Sequence, residues 1–337
     1  MAITALALGA PEADACSRVL YKGLDSLFVV GRSLDWKTPI PTNLYVYPRG
    51  MQKISSNLEN HYTWISKYGS VYAVSYDGGI TEGMNEKGLV INGLFCKGTV
   101  YNDDKATDKP QMSLSVFVAW MLDQCATTDE VCKLLKSNSF AIQGATFDGG
   151  TVSALHWGVT DRTGKSVIFE FDHGVINIYD MGDYRAMTND PYWPQMTAII
   201  DYWNRIGGKN MLPGTVVSSD RCVRANYFAH HVKAVAEQDL AVSICRSVLV
   251  NTSVPYTYER EGEPELSSTQ WRTYAVPSTL RYYFDKVTNP GYYYIDLAKV
   301  NLRKGAPVMK LDTSSTDSLV GCANNHLRHV QPFTPMY

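Results

Sequence analysis

The sequence has little net charge and no long hydrophobic run. Its 337 residues carry 31 lysines and arginines against 33 aspartates and glutamates, which gives a formal net charge of −2. This balance lacks the basic surface that binds nucleic acid or an anionic membrane. No apolar stretch reaches the roughly 18 to 20 residues that a membrane-spanning helix needs. We therefore expect no nucleic-acid partner and no membrane span, and a small molecule is the expected partner.

The common signatures of metal and cofactor sites are also missing. The chain contains no CxxC pair and none of the motifs GxxxxGK[ST], GxGxxG, HExxH or GxSxG. We interpret the pairs His230 and His231, and His326 and His329, as structural histidines. Seven cysteines are scattered along the chain, so at least one thiol has no intramolecular partner. We expect no metal and no cofactor.

The first fifteen residues resemble the end of an export signal. An apolar stretch at residues 2–10 is followed by an A-x-A pattern at residues 13–15, which is typical of a cleavage site. A basic n-region is missing, and an irregular tail is the alternative interpretation. If the signal is cleaved here, Cys16 is the first residue of the mature chain. The expected location is then the periplasm or the outside of the cell.

Strand-like and helical patterns alternate along the rest of the chain. Strand-like runs separated by turn residues occupy residues 18–48, 71–95, 154–179 and 270–302, and 185–189 resembles a strand end. Helical spacing occupies two segments within 111–137, the second capped by Thr127 or Thr128, and also 219–234 and 240–249. This order predicts an α+β fold with helices on the outer faces of antiparallel sheets. We interpret residues 16–337 as a single domain.

A cysteine at the start of a mature chain can supply two catalytic groups. Its thiol has a reference pKa of about 8.5 and its α-amine one of about 7.7 to 8.0, so a nucleophile and a base reside on one residue. Such a site also needs a cation, a carboxylate and amide donors for the thiolate, the amine and the oxyanion. Arg32 and Asp35 follow Cys16 closely, within Gly-Arg-Ser-Leu-Asp-Trp at 31–36.

Six ordered blocks give the chain its resemblance to a known family. They are Cys-Ser-Arg at 16–18, Gly-Arg-Ser-Leu-Asp-Trp at 31–36, Tyr-Pro-Arg-Gly-Met at 47–51, Gly-Met-Asn-Glu-Lys-Gly-Leu at 83–89, Met-Thr-Asn-Asp-Pro at 187–191 and Ser-Thr-Gln-Trp at 268–271. Together they resemble the choloylglycine hydrolase family, which contains penicillin V acylases and conjugated bile acid hydrolases. Six blocks that keep their order from residue 16 to residue 271 are more specific for a family than any single motif.

The resemblance implies an N-terminal-nucleophile hydrolase fold, an αββα sandwich of two antiparallel sheets between helical layers. It also implies hydrolysis of linear amides. By motif match, Cys16 is the nucleophile, its liberated amine is the proton acceptor, Arg32 lies beside the thiolate and Asp35 orients the amine. A buried structural ion pair is the alternative interpretation of Arg32 and Asp35.

Two further site residues follow from the same resemblance. Asn189, in Met-Thr-Asn, would donate its side-chain amide to the tetrahedral oxyanion. Arg221 would complete the ring of charged groups, although Arg224 in the same segment is an alternative for that place.

The chain departs from the bile acid hydrolases of the family near the substrate. Those enzymes tend to carry asparagine at the position of Phe95, whereas acylases often carry an aromatic residue there. The Phe95 side chain cannot form a hydrogen bond, so only its backbone amide could serve the oxyanion. Together with Trp36, it predicts a binding site for an aryl or fatty acyl group. Plain core packing is the alternative for both aromatic residues.

The segment 190–214 is short and lacks the insertion with which many Gram-positive members embrace neighbouring subunits. With the export signal, this resembles the Gram-negative branch, whose members look like penicillin V acylases with activity on N-acyl homoserine lactones. The expected substrate is therefore an aryl- or fatty-acyl amide. A homotetramer is less secure than it is for the family as a whole.

Two alternatives remain open from the sequence. One is a conjugated bile acid hydrolase with a steroid acyl group. The other is a non-catalytic envelope protein whose Cys16 is lipidated after processing, although Ala13 is a poor match for the leucine usually found three residues before such a cysteine. A chain that retains residues 1–15 should be inactive, because its Cys16 nitrogen is held in a peptide bond.

Overall fold

The computed structural model describes residues 16–102, 108–137, 139–147, 150–258, 267–316 and 318–336. The predicted export signal at residues 1–15 lies outside these ranges, and the domain boundary at residue 16 stays a prediction. All structural statements below refer to the described residues.

Most of the strands are short, and they are numbered here in chain order. The first eleven are β1 Ser17–Lys22, β2 Phe28–Trp36, β3 Thr42–Tyr47, β4 Gln52–Ile54, β5 Thr63–Ile65, β6 Ser70–Ser75, β7 Gly79–Asn85, β8 Val90–Phe95, β9 Gln111–Ser113, β10 Ala141–Gln143 and β11 Thr146–Phe147. The others are β12 Thr151–Val152, β13 Leu155–Thr160, β14 Ser166–Asp172, β15 Val175–Asp180, β16 Ala186–Met187, β17 Ser268–Val276, β18 Arg281–Lys286, β19 Tyr293–Asp296, β20 Val308–Leu311, β21 Gly321–Cys322 and β22 Arg328–Val330.

Two large sheets stack face to face. The first has the order β16-β1-β2-β17-β18-β19-β21 and is antiparallel except for its last pair, β19 and β21. The second has the order β15-β14-β13-β8-β7-β6-β3-β20-β22 and is antiparallel throughout. A shared apolar core lies between them, with Leu34 of the first sheet and Val46 and Ala73 of the second among its members. Since both sheets are covered on both faces, their strands read as nearly continuous apolar runs.

Helices cover the outer face of each sheet. They are α1 Leu114–Gln124, α2 Thr128–Lys136, α3 Trp193–Ile206, α4 Ser218–His231 and α5 Gln238–Asn251. Helices α4 and α5 pack on β1 and β2, and α3 packs on α4, whereas α1 packs on β6, β7 and β8 and α2 contacts β15. The layer order is therefore helix, sheet, sheet, helix, which confirms the predicted αββα sandwich.

Four of the five helices match the sequence prediction, and their local signals explain why. Thr127 caps α2 by accepting a hydrogen bond from the Glu130 N–H, as one of the two predicted caps. Helix α3 is the one that the sequence prediction misses, although Pro194 in its first turn and the helical spacing of its buried apolar residues are local signals for it. Tyr192 makes no side-chain capping bond, and both carboxylate oxygens of Glu170 accept from the Trp193 N–H, at 3.1 and 3.0 Å. The start of α3 is therefore held by a strand of the second sheet.

Strand pairing brings the start of β1 to the end of β2. In the antiparallel register Ser17 faces Ser33 and Arg18 faces Arg32. Alternate side chains of a strand point to opposite faces. Arg32 therefore points between the sheets, with Val30 and Leu34, whereas Asp35 points toward the helical layer.

Candidate active site

The thiol of Cys16 lies in a buried, charged environment directly before β1. The residue is 4% exposed. Its Sγ lies 3.7 Å from Nη2 of Arg32, which donates toward the sulfur, and 3.9 Å from the backbone oxygen of Asp35. A guanidinium this close places a positive charge beside the sulfur. The structure thus brings together Cys16, Arg32 and Asp35, which are separated by up to nineteen positions in the chain.

Arg32 is held by one further hydrogen bond and one ion pair. Its Nη2 also donates to the Gly93 carbonyl at 3.0 Å, and its Nε lies 3.2 Å from a carboxylate oxygen of Glu82. Glu82 is buried and accepts from the hydroxyls of Thr273 and Tyr282 at 2.5 and 2.6 Å. Both hydroxyls bond the same oxygen, Oε1, and Oε2 of Glu82 makes no hydrogen bond among the described residues, as is also true of Nε and Nη1 of Arg32. Sequence reasoning missed Glu82, and the only available signal was a charged residue inside the apolar run of β7.

Asp35 is buried and incompletely satisfied. One carboxylate oxygen accepts from the Ser33 hydroxyl at 3.3 Å, while Oδ1 has no hydrogen-bond partner among the described residues. Burial raises the pKa of this carboxyl to about 6, against the opposing effects of the Arg221 charge and of the nearby Thr269 side chain. A buried acceptor without a donor, close to Cys16, is suited to receive an ammonium group.

The structure distinguishes Arg221 from Arg224, the two arginines that the sequence left as alternatives for the ring of charged groups. From α4, Arg221 donates through Nη1 to the Cys16 carbonyl at 2.8 Å and to the Ser17 hydroxyl at 2.7 Å. Its Nη2 donates to Oδ1 of Asn189 at 2.9 Å. Arg224 instead donates to the backbone oxygens at positions 213 and 215, away from this cluster. Arg221 therefore lies in the charged ring and Arg224 lies outside it.

The side chain of Asn189 is held in one orientation. Since Oδ1 receives the Arg221 guanidinium, Nδ2 must point the other way, where it donates to the Phe95 carbonyl at 2.8 Å. A side-chain amide nitrogen carries two N–H groups, so one remains for a ligand. This arrangement is compatible with an oxyanion donor.

A second buried pair supports the segment that carries Asn189. His156 is 2% exposed, with Nδ1 at 2.9 Å from Glu170 and Nε2 at 2.8 Å from the Thr188 carbonyl. Both partners are acceptors, so both ring nitrogens must donate and the imidazole is charged. Although burial opposes the charge, Cys96 and Glu170 raise the pKa of His156 to about 10. Neither His156 nor Glu170 stands out in any sequence pattern.

A cavity opens at the Cys16 sulfur and is walled mainly by apolar side chains. The space amounts to about 790 Å³, part of it open to solvent. Its polar end holds Cys16, Arg32 and Asp35, and its apolar lining includes Leu34, Trp36, Ile40, Ile80, Phe95, Phe147, Leu155 and Met336. The ring of Trp36 lies 5.6 Å from that of Phe95 and 5.2 Å from that of Phe147. Both predicted substrate-binding aromatics therefore line the cavity.

The described residues contain neither a group of metal ligands nor a membrane-spanning helix. No three histidine, cysteine or carboxylate side chains in these ranges are grouped as a metal site would require. None of the helices found there has the length and apolarity to cross a bilayer. The seven cysteines carry free thiols. His230 contacts the backbone oxygens of Asn226 and Asp183 through its two ring nitrogens.

Comparisons with known proteins place the chain in a family. A family model described as linear amide C–N hydrolases, choloylglycine hydrolase family, matches residues 16–319. A penicillin V acylase of Pectobacterium atrosepticum is 34% identical, over 99% of this chain and 95% of that protein. A bile salt hydrolase/transferase of Clostridium perfringens is 22% identical, over 85% of this chain and 94% of that protein. The solved structure of penicillin V acylase from Agrobacterium tumefaciens has a TM-score of 0.87 at 36% identity, covering 95% of this chain and 99% of that one.

Proposed function

The chain belongs to the choloylglycine hydrolase family and is an amidohydrolase of linear C–N amides, and we propose that it cleaves aryl- or fatty-acyl amides such as penicillin V. N-acyl homoserine lactones belong to the same class of acyl amide. The observation that carries the proposal is the apolar, aromatic-walled cavity that ends at the Cys16 sulfur beside Arg32. Such a cavity holds an acyl group, and the sulfur at its polar end reaches the acyl carbonyl.

Cys16 supplies both reacting groups in the proposed mechanism. After residues 1–15 are removed, the free α-amine accepts the thiol proton and the thiolate attacks the amide carbonyl. A carbon–sulfur bond forms, the carbon–nitrogen bond breaks, and the ammonium gives its proton to the departing nitrogen. Water then adds to the thioester and passes a proton back to the amine, which releases the carboxylic acid and restores the thiol.

The charged and polar groups around Cys16 each have a separate role in the proposed mechanism. Arg32 stabilises the thiolate, and Asp35, whose Oδ1 has no hydrogen-bond partner among the described residues, receives the ammonium. The free N–H of Asn189 donates to the tetrahedral oxyanion, while Arg221 fixes the orientation of that amide. Preorganised donors of this kind need no rearrangement during the reaction.

The nature of the acyl group is the finer part of the proposal. Phe95 and Trp36 contribute aromatic rings to the cavity wall. That surface suits a phenoxyacetyl group or a medium fatty chain, while a steroid acyl group defines the bile acid hydrolase alternative.

A three-substrate comparison on one preparation tests this proposal. The chain beginning at Cys16 should hydrolyse penicillin V and a long-chain N-acyl homoserine lactone with a kcat/KM at least tenfold above that for glycocholate. Preferential cleavage of glycocholate would favour the bile acid alternative and overturn the aryl- or fatty-acyl assignment.

Export is a separate part of the proposal. The A-x-A pattern before Cys16 supports cleavage on passage to the periplasm. The intact mass of the exported protein distinguishes this from lipidation, which would block both the thiol and the amine. We expect an unmodified chain that starts at Cys16, and a diacylated Cys16 would contradict the catalytic role.

A further inference from the structure

The segment 331–336 lies outside the two sheets and reaches the cavity that opens at the Cys16 sulfur, here named the acyl cavity. It contains two prolines, Pro332 and Pro335, which restrict its backbone to extended conformations. Met336 lines the same cavity as Cys16, although more than 300 positions separate the two residues in the chain. No pattern in the sequence links Met336 to a substrate.

The segment is anchored at both of its ends. At its start the Phe333 N–H donates to the Tyr47 hydroxyl at 3.0 Å, and the Phe333 ring packs edge-on against Tyr45 and Tyr47. At its end the Met336 N–H donates to the Gly78 carbonyl at 2.9 Å, and the Met336 carbonyl accepts from the Ser113 hydroxyl at 3.2 Å. These bonds fix the direction in which the Met336 side chain leaves the backbone.

The turn before β7 leaves space for that side chain. A Cβ added to Gly78 would lie 2.6 Å from Cγ of Met336, and one added to Gly79 would lie 3.3 Å from its Cε. The first distance is shorter than any tolerated contact, so glycine at position 78 is what allows Met336 to approach. Met336 therefore occupies a fitted place against the turn.

The position of Met336 relative to the sulfur follows from strand geometry. The Gly93 carbonyl shares Nη2 of Arg32 with the Cys16 sulfur, and Gly93 lies beside Thr81 of β7. Gly79 precedes Thr81 by two residues, a displacement of about 7 Å along a strand. Met336 packs on Gly79. Its side chain therefore lies farther along β7 than Thr81, away from the end of the cavity that holds the Cys16 sulfur.

From this placement we propose that Met336 closes the acyl end of the cavity and sets the length of the acyl group that the enzyme accepts. The inference rests on the proposed function, because it assumes that the acyl group occupies this cavity. An acyl chain that grows from the Cys16 sulfur along β7 meets the thioether of Met336. Removing the thioether lengthens the cavity, and a larger side chain shortens it.

The test compares a series of acyl amides with hexanoyl, octanoyl, decanoyl and dodecanoyl groups on the processed enzyme. Each additional buried methylene is worth about fourfold in kcat/KM. Since Met336→Ala removes three heavy atoms, the decanoyl-to-hexanoyl ratio of kcat/KM should rise about tenfold or more. Met336→Trp should lower the same ratio. Met309→Ala is the matched control, because Met309 is also partly buried but lies outside the cavity lining, and it should leave the ratio unchanged.

Opposite shifts in the two Met336 variants exclude a general loosening of the segment. If both variants fold, shown by unchanged circular dichroism, and keep the wild-type length profile, the role of Met336 is overturned while the proposed function stands. If the wild-type enzyme cleaves none of the amides in the series and does not cleave penicillin V, the proposed function itself is overturned. Isothermal titration with octanoate and dodecanoate gives the same comparison for any variant with low turnover.

Discussion

The two ends of the cavity are built in different ways. At the polar end, Arg32 and Glu82 lie inside the long strands β2 and β7, and Arg221 lies inside α4, all at or below 2% exposure. At the apolar end, Trp36 and Phe95 are the last residues of β2 and β8. Arg32, Glu82 and Arg221 are thus held inside long elements, whereas Trp36 and Phe95 lie where their strands end. We expect chemistry to be sensitive to small changes, and specificity to vary with little effect on the fold.

The largest effect should come from removing the sulfur while keeping the cavity. In a chain beginning at residue 16, Cys16→Ala should lower kcat by on the order of 10⁴-fold or more, because the thioester can no longer form. Binding of phenoxyacetate, measured by isothermal titration, should persist because the apolar wall is intact. Residual turnover above a few per cent of wild type would remove Cys16 from the nucleophilic role.

Asn189→Ala should produce the next largest loss. A preorganised oxyanion donor contributes about 3 to 4 kcal/mol in comparable sites, so kcat should fall by ~10²-fold or more. Arg224→Ala is the matched control, since Arg224 donates its hydrogen bonds to backbone oxygens outside the ring. The measurement is steady-state kinetics on both variants. Near-full activity of Asn189→Ala would exclude the Asn189 side chain as the oxyanion donor.

The pH dependence of stability isolates Asp35. Its folded-state pKa is raised to about 6 from an ordinary value of 3.8, so the folded chain holds this proton more tightly than the unfolded chain. The resulting stabilisation is fully present below about pH 4 and is lost as the pH rises through about 6. At about 1.4 kcal/mol per pKa unit, the shift is worth roughly 3 kcal/mol.

This prediction is checked by urea unfolding of the unprocessed chain and of Asp35→Asn at pH 4 and pH 7. The difference between the two proteins in the free energy of unfolding should change by about 3 kcal/mol from pH 4 to pH 7. In the processed chain the change should shrink, because the Cys16 ammonium favours the ionised carboxylate. An identical pH response in processed and unprocessed chains would show that the ammonium does not reach Asp35.

The smallest effect is expected at the apolar wall. Phe95→Ala keeps the backbone carbonyl that orients Asn189 but removes the ring beside Trp36. The KM for penicillin V should rise about tenfold, in line with the apolar surface that is lost, with kcat little changed. A kcat that falls as strongly as KM rises would show that the two ends of the cavity are not independent.

Much of this fold could be predicted from local patterns. The strand runs, the two adjacent helices α1 and α2 and the Thr127 cap follow from spacing and capping rules that act within a few residues. Helix α3 is missed although Pro194 and its apolar spacing are local signals, and the carboxylate that holds its start belongs to Glu170 in a distant strand.

The candidate site divides along the same line. The family blocks point to Cys16, Arg32 and Asp35, which the structure places together, but they leave Arg221 and Arg224 open. Those two residues are three positions apart on one helix and lie near one face, so only tertiary packing decides which of them is buried. The same holds for Glu82, which is recognised only through its contacts across the sheets.

The most direct test of the account is the mass of the working enzyme during turnover. We predict that the active chain begins at Cys16, and that a reaction with penicillin V quenched in acid carries one phenoxyacetyl group on the Cys16 peptide. An active enzyme whose Cys16 is still bonded to Ala15, or an acyl group on any other residue, would contradict the claim that one cysteine supplies both the nucleophile and the base.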